Sequence, residues 1–163
     1  MRLTCNSGFA ILQAVDRRTA VQTFCAPAAL RESVPMDDGE RLLLIALRRI
    51  IAHGHGDPGI ANHFRARMGD GHCRPLMLVR VLVAEVRRAA CTTIEIAPCC
   101  CARMTSAEAT LIRAAACWAS RPETARLLIA DLLGNRKPDG VLASLAAVVQ
   151  GFADHGVPIG GWR

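Results

Sequence analysis

At 163 residues, with 52% hydrophobic, 21% charged and 4% aromatic side chains, the chain is long enough for one packed core and short for two. With no tyrosine and two tryptophans, core volume must come from Leu, Ile, Val and Ala, which favours closely crossing helices. The formal charge of +6 would suit an anionic partner, but Lys137 is the sole lysine and the arginines are spread over nearly every segment, so charge alone names neither nucleic acid nor membrane.

Eight cysteines are too few and too irregularly spaced for a disulfide scaffold. The apolar patch Phe9–Leu12 is cut short by Gln13 and Asp16-Arg17-Arg18, so no secretory signal is expected. These features predict a cytoplasmic location with reduced thiols. No uninterrupted apolar run approaches the roughly 18–20 residues that span a bilayer, so no transmembrane segment is expected.

Residues 1–36 lack periodicity and are broken by Ala26-Pro27-Ala28 and Val34-Pro35. They read as a poorly ordered N-terminal arm, with a translation start at Met36 as the alternative account of it. Residues 37–163 read as a single helical domain. Asp37-Asp38 cap a helix over about Gly39–His53, whose Leu43, Leu44, Leu47, Ile50 and Ile51 share one face while Arg41, Arg48 and Arg49 lie opposite. Gly54 ends it.

Asp57-Pro58 opens a second helix that runs to Gly69. Arg74-Pro75 opens a third, to about Ala90, which is apolar beyond a single stripe and so is expected at the centre of the bundle. Thr92–Ile96 alternates in the β manner, but no second strand is evident and an extended connector is expected. Thr105-Ser106-Ala107-Glu108 has capping-box spacing ahead of a fourth helix to about Ala119, and Ser120-Arg121-Pro122-Glu123 repeats that spacing ahead of a fifth that stops at Gly134. A sixth runs from Gly140 to about His155.

The local feature that composition does not make ordinary is the triplet Cys99-Cys100-Cys101. Adjacent cysteines pair poorly, since consecutive Cα atoms stand about 3.8 Å apart and disulfides span roughly 4.4–6.8 Å. Cys99 and Cys101 can bridge or jointly hold a metal. A tetrahedral site needs two further ligands, for which His72-Cys73, Cys91 or the His53-Gly54-His55 turn are candidates.

Thiol redox chemistry is the other sharp reading. Arg103 is close, but the triplet lies ahead of the cap at Thr105, where helix-dipole support fades. The favoured account makes the three thiols small buried hydrophobes wedged against the bundle. His53, His55, His63 and His72 with Asp57 and Asp70 form a second candidate cluster, which reads more simply as a helix end, a turn and a cap. Hydrolase, zinc-protease and Walker-type signatures are absent from the sequence. Arg65, Arg67, Arg74 and Arg80 can be drawn as a helix-turn-helix DNA reader, a fit shared by most three-helix segments.

The segments Arg74-Pro75-Leu76-Met77-Leu78, Pro98-Cys99-Cys100-Cys101-Ala102-Arg103-Met104-Thr105 and Phe152-Ala153-Asp154 together resemble a family of small uncharacterised bacterial proteins with a Pro-Cys-Cys-Cys-x-Arg-Met-Thr segment. The similarity spans about residues 36–158. It implies an intracellular bacterial protein and carries over no activity, cofactor, partner or site residue.

The sequence therefore predicts a compact all-α bundle of about five or six helices, with the third helix central and the cysteine junction against it. The leading functional expectation is a non-enzymatic structural or interaction module that associates with itself or another protein, with no nucleic-acid partner, no cofactor and no catalytic residue. The runner-up is a thiol-redox or metal-sensing site, holding zinc or iron in its metal form, drawn from Cys99, Cys100, Cys101, His72 and Cys73.

Overall fold

In the computed structural model, residues 11–13, 20–23, 30–35 and 37–160 are described, and the helices begin and end where local chemistry marks them. Asp37 accepts from the backbone N–H groups of Gly39 and Glu40 at the start of α1, Asp38–His53, and Gly54 closes it with positive φ. Asp57 caps α2, Pro58–Met68, with proline in the first turn. A short 3-10 turn, Gly69–His72, leads directly into α3, Cys73–Ala89.

Thr105 and Glu108 close a reciprocal capping box on α4, Ser106–Cys117. The expected repeat of that device ahead of α5, Pro122–Leu133, is corrected: no side chain caps this helix. Ser120 instead donates its hydroxyl to the Cys117 carbonyl, so it terminates α4 rather than starting α5. Gly134 ends α5 in the left-handed conformation, and α6 spans Asp139–Ala153.

The fold is all-α in class, with one contiguous apolar core fed by all six α-helices. The third helix packs against α1, α2 and α6. Its approach to α6 is close because Gly151 faces Leu78, where an added Cβ would come within 2.8 Å of the Leu78 side chain. Phe64 of α2 and Phe152 of α6, both fully buried, meet edge to face with ring centres 5.7 Å apart. Helix α1 shares the middle of the bundle, touching α2, α3 and α4.

Short strands accompany the helices: β1 Ile11–Gln13, β2 Ala20–Thr23, β3 Leu30–Ser33, β4 Ile94–Ile96 and β5 Arg103–Thr105. They correct the expectation of an unpaired connector at Thr92–Ile96, because Val21–Thr23 runs parallel to Ile94–Ile96 and satisfies backbone groups that a lone strand would leave open. Strand β3 pairs with β5 in the antiparallel sense. The remainder of the predicted arm, including Met36 as a start, lies outside the described residues. Among the described residues no helix is long and apolar enough to cross a membrane.

Candidate functional site

The cysteine junction joins β4 to β5, and its geometry begins with a glutamate in an apolar stripe. Glu108 lies on the face of α4 that also carries Leu111, Ile112 and Ala115, so capping the helix takes its carboxylate into the core, where its exposure is 0%. A buried carboxylate needs partners. Arg48 of α1, at 4% exposure, supplies them: its Nε donates to Oε1 at 2.8 Å and its Nη2 to Oε2 at 2.9 Å. Sequence periodicity had assigned Arg48 to the solvent face; Glu108 draws it inward.

The pair also fastens the loop. Arg48 Nη1 donates to the Cys101 carbonyl and Nη2 to the Arg103 carbonyl, both at 2.7 Å. On the other side, Glu108 accepts from the backbone N–H of Ala97 at 3.1 Å and of Thr105 at 2.9 Å. Thr105, 1% exposed, donates its hydroxyl to the Glu95 carbonyl at 2.7 Å while accepting from the Glu108 N–H. Every one of these loop contacts is to backbone, so the clamp sets the course of residues 95–105 without engaging a cysteine sulfur.

The thiols consequently face outward, and two expectations are corrected. The junction lies beside α1 rather than being built against α3, because Arg48 is what holds it. Nor are the thiols packed: Cys99 and Cys100 are exposed and Cys101 is half-buried. The Cys101 N–H donates to the Pro98 carbonyl at 3.0 Å, closing a turn that has Cys99 and Cys100 at its corner. None of the described cysteines is in a disulfide.

A cleft of about 400 Å³ opens between this loop and α1, lined by Arg41, Arg48, Arg49, His63, Cys99 and Cys101 over an apolar floor that includes Leu44 and Ile45. Burial pushes the Cys99 thiol above its ordinary value, and the nearby charges of Arg49 and then Arg48 oppose that rise. Arg49 is itself engaged, donating from Nε and Nη2 to Asp57 at 2.6 and 3.0 Å. That bond holds the Asp57 carboxyl below its usual range.

His72 and Cys73 stand together at the start of α3, with the Cys73 sulfur 3.7 Å from His72 Nε2 and His72 Nδ1 2.9 Å from the Gly69 carbonyl. They do not line the cleft; the histidine that does is His63. Among the described residues no group of three or more His, Cys, Asp and Glu side chains is placed to hold a metal ion. The His53–Asp57 segment is a helix end, turn and cap, as the sequence suggested. Of the arginines drawn as a DNA reader, Arg67 is paired with Asp38, and Arg80 Nη1 lies 3.5 Å from the Met77 sulfur.

Sequence reasoning missed the clamp, although a signal was available. An acid at the head of the stripe Glu108, Leu111, Ile112, Ala115 and a base at helical spacing from Leu44 and Ile51 are each anomalous alone and complementary together.

A family model described as a family of unknown function (DUF6628) matches residues 23–132. The match takes in the cysteine segment, Arg48 and Glu108. It starts ahead of residue 36, and it leaves out Phe152-Ala153-Asp154. No curated protein and no solved structure matches the chain.

Proposed function

Since the chain belongs to this family of unknown function, DUF6628, we propose a role from its own geometry: a thiol-redox protein that works through the dithiol Cys99 and Cys101. The observation that carries the reading is the contrast inside one loop, whose backbone is pinned by a buried ion pair while its thiols reach solvent. A buried charge pair adds little net stability over apolar packing. Its value here is in holding a loop to one course, and side chains on loops positioned by a rigid scaffold are where binding and chemistry concentrate.

Cys99 and Cys101 are two residues apart, so their Cα atoms lie within about 7 Å, and the turn draws them closer, into the range a disulfide spans. The reaction is oxidation of this dithiol by a low-molecular-weight disulfide. A Cys99 thiolate attacks one ligand sulfur, the ligand S–S bond breaks, and the departing thiolate takes up a proton. Cys101 then attacks the mixed disulfide, forming the Cys99–Cys101 bond and releasing the second ligand thiol. Two protein thiols are oxidised and one ligand disulfide is reduced.

Elemental analysis and differential alkylation of the reduced, native protein test this. Labelling of Cys99 and Cys101 before treatment, and their reversible joining after exposure to a small disulfide, is the expected result. A triplet that labels only after denaturation, or stoichiometric zinc or iron in the purified protein, overturns it. The interaction reading retains one observation: Met77 and Val81, one turn apart on α3, are 52% and 47% exposed. A monomeric mass by light scattering, independent of concentration, would remove self-association.

A further inference from the structure

We propose that the cleft between α1 and the cysteine loop binds a carboxylate-bearing low-molecular-weight disulfide, and that Cys99 is the thiol this ligand modifies first. The inference rests on the redox reading above and adds the chemistry of the oxidant and the residue that selects it.

The volume of about 400 Å³ falls within the range of small-molecule sites. Its lining holds three arginines and a histidine, and no aspartate or glutamate. The arginines differ in what they have left to offer. Arg48 is occupied by Glu108 and two carbonyls, and Arg49 is held by both oxygens of Asp57. Arg41 is exposed and has no ion-pair or hydrogen-bond partner for its guanidinium among the described residues, nor has the His63 ring. A guanidinium without an acid, at the mouth of a cleft, is a ready partner for a carboxylate, which it can engage with two parallel hydrogen bonds.

The sulfurs are sorted by the same cleft. Cys99 and Cys101 line it and Cys100, at the corner of the turn between them, does not. A ligand anchored by its carboxylate on Arg41 therefore presents its disulfide to Cys99, with Cys101 in the same lining to resolve the mixed disulfide. Electron and atom balance are those of the exchange already written: one ligand disulfide gives two ligand thiols and the Cys99–Cys101 bond. Because burial holds Cys99 above the ordinary thiol range, its advantage with such a ligand comes from the proximity the anchor provides.

The test compares two small disulfides of opposite charge, glutathione disulfide and cystamine, on the full chain, reading initial mixed-disulfide formation at each cysteine by peptide mass spectrometry. Cys100 serves as the internal reference, which cancels the different intrinsic reactivities of the two reagents. The Cys99 to Cys100 rate ratio is expected to be roughly tenfold higher with glutathione disulfide than with cystamine. Raised salt and Arg41→Gln should each collapse that difference. Arg41 is exposed, so the substitution removes no buried side chain, and a circular dichroism spectrum matching the parent chain is expected. A ratio indifferent to reagent charge, or unmoved by Arg41→Gln, overturns this inference while leaving the redox reading in place. No mixed disulfide at Cys99 or Cys101 with either reagent overturns both.

Discussion

Two junctions of the bundle are made in opposite ways. Helices α3 and α6 meet through apolar faces, with Gly151 set against Leu78 to let them close. Helices α1 and α4 meet across a buried ion pair, Arg48 with Glu108, whose remaining hydrogen bonds go to the backbone of β5 and of the loop that joins it to β4. Apolar packing is non-directional and tolerant of small shifts. The ion pair demands its geometry, and so fixes a loop whose own side chains contribute little to the core.

The largest effect expected from breaking that contrast is at the clamp. Arg48→Met or Glu108→Gln alone should cost about 3–5 kcal/mol, since each leaves a buried charge or its backbone partners unanswered. The double variant Arg48→Met with Glu108→Leu should recover only part of the loss, because it removes the uncompensated charge but leaves the Ala97 and Thr105 N–H groups and the Cys101 and Arg103 carbonyls without these partners. Urea denaturation of the three variants measures this. Single losses below about 1 kcal/mol would mean that the pair holds neither loop nor helix.

The two junctions were also unequally legible in the sequence. Caps at Asp37, Asp57 and Thr105 and the stops at Gly54 and Gly134 are local chemistry, set by residues two to four apart, and they mark α1, α2, the start of α4 and the end of α5. The apolar stripes likewise need no knowledge of a partner. Arg48 and Glu108 are 60 residues apart, and neither helix taken alone names the partner that lets a charge sit beside its apolar face. The outward thiols followed from that same blind spot, since the packed account of the triplet assumed that only apolar contact could hold the connection. The pairing of β4 with β2 was missed for a related reason, its partner lying in a segment with no periodicity of its own.

Neighbouring arginines sharpen the comparison at a smaller scale. Arg48 is 4% exposed and Arg49 26%, and Arg49 pairs with Asp57 near the surface. The Arg49 hydrogen bond lowers the Asp57 pKa in the folded chain, so its contribution is present above the unfolded carboxylate value and is lost as pH falls through the lower folded value. Asp57→Asn keeps a capping side chain and removes the charge. It should cost about 0.2–1 kcal/mol near pH 7, with the difference from the parent chain shrinking to nothing in acid once pH falls below the lowered folded value. A difference that persists there would assign the loss to the cap instead of the ion pair.

The smallest expected effect separates the two accounts of the cysteines most directly. Replacing Cys99, Cys100 and Cys101 together by serine should leave stability within about 0.5 kcal/mol of the parent chain, as for surface substitutions. Arg48 reaches the Cys101 and Arg103 carbonyls, which serine at 101 retains, and Cys99 and Cys100 are exposed already. Small-disulfide exchange at the loop should vanish from the same variant. Had the thiols been the wedge that holds the connection, losing three sulfurs would cost well over about 1 kcal/mol, on the scale of deleted core groups. A thermal melt of the triple variant beside its exchange kinetics distinguishes a loop held by its sulfur from a loop that is held so that its sulfur can react.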